Sequence, residues 1–306
     1  MTKRHFKTIF AAVAATLMLC LSGAAPVFAE EYPIHLMVSP ASQTLGKLEP
    51  GKSYEGKFSV RNVGTEEFDY KVYATPYTVQ DEEYNPEYTT TNNYTYIAEW
   101  FTFSKTTGHL DPRGEEEISY TVKVPANAAG GAQNAAIMVE TEDSVDPSKT
   151  VSATSRVGII TYSQIDGVTN PCGKIIEKKV PSLLLNPPIS ASALVENCGN
   201  IDLNVKYVFT VTPLFSSEPV YTNEDSPKVL ATLPETRRYT NLEWENSPSI
   251  GIYKTKLSVT YNGKTEDIEK IVLICPLWVI ILVIVFIGAV VFWLVSRNKE
   301  RKAKRA

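Results

Sequence analysis

The sequence predicts an all-β protein, two tandem β-sandwich domains followed by one C-terminal transmembrane α-helix. Three observations carry that expectation. Apolar residues recur with period two over most of 30–271, a spacing that suits half-buried strands and not helices. One strand-turn-strand pattern occurs twice, 135 positions apart. A single uncharged run of 22 residues, Ile274 to Val295, stands near the C-terminal end.

In chain order, 1–29 reads as a secretory signal peptide. Lys3, Arg4 and Lys7 form a basic start, Ile9 to Leu21 an apolar run, and Val27-Phe28-Ala29 a small-residue cleavage site, so the mature chain begins at Glu30. Strands are expected over Gly56–Arg61, Phe68–Pro76, Glu117–Val124, Ala135–Thr141, Val157–Ser163, Leu203–Thr212, Tyr239–Trp244, Ile252–Tyr261 and Asp267–Leu273. In the third of these Ile118, Tyr120, Val122 and Val124 alternate with Ser119, Thr121 and Lys123, which assigns one face to a core. Turns fall at Glu49-Pro50-Gly51, Asp111-Pro112-Arg113-Gly114 and Asn262-Gly263, the last a two-residue hairpin signal.

The repeated pattern is Val60-Arg61-Asn62-Val63-Gly64 before Phe68, Tyr70 and Val72, matched by Val195-Glu196-Asn197-Cys198-Gly199 before Leu203, Val205 and Tyr207. In both copies a strand ends, Asn and Gly make a turn that tolerates positive φ, and a new alternating strand begins. Two domains follow, 30–166 and 167–272, each large enough for its own core. Trp100 and Tyr70 are expected on strands, as core residues. A helix over 274–295 would span about 33 Å, enough for a hydrocarbon core, with Trp278 and Trp293 near its ends. The basic tail 296–306 carries Arg297, Lys299, Arg301, Lys302, Lys304 and Arg305, which assigns it to the cytoplasm and 30–271 to the outside.

Charge and side-chain chemistry exclude several functions. Between 30 and 271, 21 Lys and Arg stand against 33 Asp and Glu, which leaves no basic footprint for a nucleic acid. After signal removal the chain keeps only His35 and His109, and no nucleophile or metal-ligand spacing accompanies either, so no enzyme, metal or cofactor is expected. The acidic runs Asp81-Glu82-Glu83, Glu115-Glu116-Glu117 and Glu140-Thr141-Glu142-Asp143 read as solvated turns. Leu233-Pro234-Glu235-Thr236 starts like a sorting signal, but Arg237 replaces the required Gly, so it reads as a turn entering a strand.

Two features remain that could bind or bridge. Residues 70–103 are crowded with aromatics, and within them Tyr84, Tyr88, Tyr94 and Tyr96 are interleaved with Asn85, Pro86, Thr89 and Asn92-Asn93, a loop composition with amphipathic rings attached. Rigid rings beside amides and hydroxyls suit stacking on a sugar or insertion into a protein groove. The alternative is that the rings pack back onto the sandwich. Cys172 and Cys198, both in the second domain, are candidates for a disulfide, whose geometry the spacing leaves open.

The first domain resembles a known family. Leu36-Met37-Val38-Ser39-Pro40 with Gln43, Leu48-Glu49-Pro50-Gly51, Val60-Arg61-Asn62, a strand at Glu99-Trp100, and Val122-Lys123-Val124-Pro125 leading through Gly130-Gly131 to Ala136-Ile137 are similar to the N-terminal domain of WxL-interacting proteins. These are membrane-anchored surface proteins of Gram-positive bacteria. The resemblance implies immunoglobulin-like sandwiches, a peptidoglycan-binding first domain, and WxL-type or other surface proteins as partners of the second. The second domain is shorter than that family suggests, and no Trp-x-Leu motif occurs here. The functional expectation is a non-catalytic cell-surface protein that binds wall glycan or surface proteins; the alternative is a chaperone-like or assembly module acting by β-strand addition.

The topology has a direct consequence. Protease added to intact cells should remove 30–271, and cleavage seen only after lysis would overturn the outward orientation.

Overall fold

In a computed structural model, residues 33–141 and 154–303 are described. The expected signal peptide, the start at Glu30, Glu142-Asp143, and Lys304 and Arg305 of the tail lie outside the described residues.

Alternating sequence becomes paired sheets. The first sandwich contains β1 (Leu36–Ser39), β2 (Ser42–Leu48), β3 (Ser53–Asn62), β4 (Phe68–Pro76), β5 (Thr78–Val79), β6 (Pro86–Glu87), a 3-10 helix (Tyr96–Trp100), β7 (Phe101–Phe103), β8 (Thr107–Leu110), β9 (Glu115–Lys123), β10 (Gly131–Thr141) and β11 (Arg156–Ile165). Its sheets run β1-β3-β9-β7 and β2-β11-β10-β4-β8, with β5 and β6 as a separate small hairpin. Phe58, Val60, Tyr70, Val72, Ile118, Val122 and Ile137 fill the space between them.

The second sandwich repeats this plan with β12 (Gly173–Lys179), β13 (Leu183–Leu184), β14 (Ile189–Asn197), β15 (Leu203–Pro213), β16 (Tyr221–Thr222), β17 (Lys228–Thr232), β18 (Arg237–Trp244), β19 (Gly251–Tyr261) and β20 (Lys264–Ile274). Sheets β12-β14-β18 and β13-β20-β19-β15-β16 enclose Val195, Val205, Tyr207, Phe209, Leu257 and Val272. In both sandwiches the opening strand changes sheets. β1 pairs antiparallel with β3 and β2 then runs parallel to β11, just as β12 pairs with β14 and β13 runs parallel to β20. Both are immunoglobulin-type arrangements, and the chain is all-β apart from its helices. Asn262 and Gly263, with φ of 46° and 73°, close the two-residue β19–β20 hairpin that the sequence announces.

The 135-residue echo is a buried asparagine. Asn62 Nδ2 donates to the carbonyls of Glu66, Leu110 and Asp111, while its Oδ1 accepts from Gly64 N. Asn197 Nδ2 donates to the carbonyls of Ile201 and Thr232, and its Oδ1 accepts from Gly199 N. Each side chain ties its own turn to a neighbouring loop of the same sandwich. Neither glycine takes the positive φ that such a turn tolerates, and close approach is the reason for glycine: a Cβ would meet Pro33 O at 2.4 Å at Gly64, and Asn170 O at 2.3 Å at Gly199. Cys172 and Cys198 form a disulfide beside the second turn, where Cys198 N also donates to Cys172 O at 3.1 Å.

Two further expectations shift. Trp100 and Glu99 lie in the 3-10 helix and not on a strand, because Ile97 turns inward and Trp100 packs on the core from the sandwich rim. The helix α1 (Leu277–Ala303) begins after Ile274, which is a fully buried strand residue paired with Gly251. Pro276 sets that boundary, since its ring suits the start of a helix and its carbonyl accepts from Val279 N and Ile280 N. Leu277–Val295 is long and apolar enough to cross a membrane. No strand is expected from the sequence over β12, and of β14 only its end at Val195-Glu196-Asn197; β12 reads poorly because a bulge at Ile176 breaks its alternation.

Replacing Asn197 with Ala strands two carbonyls and one amide in a buried turn. Asn197→Ala should therefore lower stability by about 3 kcal/mol in chemical denaturation, with Asn62→Ala doing the same to the first sandwich. A change below about 0.5 kcal/mol would show that water replaces the side chain.

Candidate ligand-binding cleft at the sandwich junction

Strand β10 is buried along its whole length, because its outer face carries Ala136 and Met138 beside Asn134 and Glu140, all of them covered, as well as an apolar inner face. Ala136 and Met138, with Ile160 and Tyr162 of β11, need a cover that neither sheet supplies. Segment 77–95 provides it. Tyr77 is buried there, its ring centroid 6.0 Å from Tyr88 and 6.2 Å from Tyr162, and Leu233 of the second sandwich seals the patch.

The β5–β6 hairpin aims this cover. Asp81 accepts from Glu83 N, Asn85 N and Asn85 Nδ2, bonds that hold its carboxyl below the usual range, the Asn85 side chain foremost. Tyr84 in the same turn takes φ of 69°, a conformation a tyrosine adopts only when its surroundings hold it. The second sandwich does so. Tyr84 Oη lies 2.8 Å from Thr236 Oγ1 and accepts from Leu233 N at 2.7 Å, and the Arg238 guanidinium sits 4.0 Å above its ring. Tyr239 N donates to Glu82 O at 2.7 Å. The Leu233-Pro234-Glu235-Thr236 turn is thus the second sandwich's seat for the first, a role that no local sequence signal carries.

A second set of bonds closes the junction. Asn200 O accepts from Ala132 N at 2.7 Å, and Asn200 Nδ2 donates to Gly130 O and Val168 O. Gly131, with φ of 138°, leaves room for this: a Cβ would lie 2.6 Å from Asn200 O. Beside it, Asn134 Nδ2 is 3.4 Å from Asp202 Oδ1, and Asn134 Oδ1 is buried without a hydrogen-bond partner. Burial pushes the Asp202 carboxyl up to about 6, against the pull of the Asn134 amide.

Between these contacts lies a cleft of about 620 Å³. Tyr94, Tyr96 and Trp100 line one side, Pro125, Asn127 and the Gly130-Gly131 backbone also border it, and Asn200 contributes from the second sandwich. Gln133 sets the aromatic side: its Oε1 accepts from Ile97 N, and its Nε2 donates to Asn93 O. Tyr96 is 44% exposed and Glu99 is also exposed, so a ring and a carboxylate are available to a ligand. The combination of aromatic faces, amides and one carboxylate suits a polar ligand with flat apolar patches, such as a sugar.

The four tyrosines singled out in the sequence therefore separate. Tyr84 is held by the second sandwich, and Tyr88 packs on Tyr77 over the outer face of β10. Tyr94 borders the cleft while its Oη donates to Glu235 across the junction, and Tyr96 alone of the four is largely open. Trp100, Glu99 and Gln133 were not read as site residues. Among the described residues a shallower depression of about 540 Å³ on the outer face of the β15–β19–β20 sheet is lined by Thr210, Lys254, Lys256 and Glu269 and offers no aromatic ring. His109 also gains neighbours that the sequence did not show. Asp69 lies 2.8 Å from its Nδ1, and Glu67 and Asp111 lie 3.8 and 3.7 Å from its Nε2, an exposed ion-pair cluster led by Asp69 that raises the imidazole pKa.

The junction should respond to acid. A carboxyl whose folded pKa stands above its ordinary 3.8 makes the folded state bind more protons, so its penalty is full above pH 6 and disappears as the pH falls toward 4. Asp202→Asn should raise the unfolding free energy at pH 7 by on the order of 1 kcal/mol and flatten its pH dependence between about 4 and 6. Equal pH profiles for the two proteins would overturn this.

No known protein family matches the sequence, and no curated protein matches it. Solved structures with a similar fold include the class 5 fimbriae chaperone CfaA, at 12% identity over 77% of this chain and 99% of that one with a TM-score of 0.39. The E. coli chaperone DraB is 12% identical over 77% and 97% with a TM-score of 0.37, and a PapD-like domain of human CEP192 is 18% identical over 48% and 97% with a TM-score of 0.32. Identities this low leave function to the chemistry of the cleft itself.

Proposed function

We propose that this chain is a non-catalytic, membrane-anchored surface protein whose junction cleft holds a wall glycan. The observation that carries the proposal is the exposed Tyr96 ring beside Trp100 and Glu99, facing amides and open backbone across a cleft of sugar-sized dimensions. In this reading Leu277–Val295 is the anchor, and the basic residues after it support a tail inside and sandwiches outside. Peptidoglycan is the ligand that the resemblance of the first domain to WxL-interacting proteins implies, with a WxL-type wall protein as companion partner of the second.

One observation favours a second reading, strand addition to a secreted subunit. The β12-β14-β18 sheet has only three strands, and both of its outer strands are edges. The bulge at Ile176 and Lys174, Lys178 and Lys179 on β12 are features that protect an edge, which leaves β18 as the better docking strand over the stretch beyond Tyr239 N and Asn241 O, already bonded to Glu82 O and Lys228 Nζ.

The soluble portion for testing should end at Cys275, since Ile274 is part of the core. That fragment should sediment with purified cell walls, and Tyr96→Ala should weaken retention about tenfold while leaving strand addition intact. Retention no higher than that of an unrelated sandwich would remove the glycan proposal, and retention unchanged by Tyr96→Ala would move the contact away from the cleft.

A further inference from the structure

The end of the second sandwich from which α1 departs is apolar where it should meet water. The turn after β15 presents Phe215, which is 96% exposed, and the approach to β19 presents Ile250, 50% exposed. Ile252 and Leu273 stand opposite each other in register on the outer sheet face, and Leu183 is paired alongside Leu273. All three are exposed, as is Leu185 just beyond β13. Leu214 N bonds Ile252 O, and Gly251 pairs with Ile274, so the Phe215 turn, the start of β19 and the end of β20 share one end of the sandwich.

That end is tethered closely. Only Cys275 and Pro276 separate the last paired residue of β20 from Leu277, a reach of roughly 10 Å. The headgroup layer of one leaflet is about 6 Å thick. A span starting at Leu277, with Trp278 at the interface, holds the apolar end inside or against that layer. Exposed apolar tips of this kind gain by entering the headgroup and acyl boundary, where water is already being displaced. Glu218 and Glu245 flank the tips, Lys254 stands one row above Ile252, and Lys256 beyond it is paired with Asp267 and Glu269, so among the described residues the charges near this end are mixed in sign. The contact is apolar and insensitive to salt.

We infer that Phe215, Ile250 and their neighbours seat the second sandwich directly on the lipid surface, so that the two sandwiches rise from the membrane as a fixed post and not on a flexible stalk. This rests on Leu277–Val295 being a membrane span, and the test separates the two. The mature chain from Glu30, with Cys275→Ser, is reconstituted into vesicles of phosphatidylcholine and phosphatidylglycerol. An environment-sensitive fluorophore is attached at Ile250→Cys or, at the far end of the first sandwich, at Thr65→Cys. Doxyl-labelled lipid should quench the probe at 250 at least about threefold more than the probe at 65, with no change in high salt, and Phe215→Glu should reduce that difference. Carbonate-resistant protein whose two probes are quenched equally would overturn the seating. Extraction of the chain by carbonate would overturn the span on which it rests.

Discussion

The arrangement of this molecule depends on one strand with no solvent face. β10 is buried at all of its positions, so the outer side of the five-stranded sheet must be covered by something outside the sheet. The Tyr-rich segment and the Leu233 turn supply the cover together. An apolar patch shared between two sandwiches converts what would be a loose pair of domains into a joined body, since parting them would return Met138, Tyr77 and Leu233 to water. The cleft is a by-product of this junction. It lies where segment 93–100 leaves the covered face and the Gly130-Gly131 backbone meets Asn200.

Polar groups then fix the register that apolar burial leaves open. Tyr84 touches three residues of the second sandwich, Leu233, Thr236 and Arg238, through its ring and hydroxyl, and it keeps a left-handed backbone to do so. Asn200 acts from the other side, with both donors of its amide used on backbone carbonyls. Asp202 is the exception within this network. Its partner Asn134 offers only a long bond and keeps a buried oxygen unsatisfied, so the junction contains one position where proton uptake relieves a cost.

Much of the strand layout was legible in the sequence because period-two alternation is a local property, and strands such as β4, β9 and β19 show one wet and one dry face. β12 escaped because of its bulge, and Trp100 was misplaced because an aromatic before Phe101 and Phe103 looks like more strand. The repeated Asn-x-Gly was recognised as a turn, yet its cause lay elsewhere. Glycine is there for a neighbouring backbone, Pro33 in one copy and Asn170 in the other, and not for positive φ. The cleft was half legible: Tyr94 and Tyr96 were identified, but their separation from Tyr84 and Tyr88 depends on the outer face of β10. The unbroken small and apolar run Ala135-Ala136-Ile137-Met138-Val139 was the available signal for that second buried face.

By itself the sequence determined the all-β class, the repeated sandwich unit, the long apolar run with its basic flank, and the acidic balance of the body, since each follows from composition or from spacings of a few residues. Only the tertiary structure decided which tyrosines border the cleft, how the sandwiches meet, and that the base of the second one is apolar. The first two rest on partners 149 to 152 residues apart, as in Leu233 with Tyr84 and Tyr84 with Thr236. Such partners are brought together by burial of a shared surface, and a linear pattern contains no record of that surface until the sheets have formed.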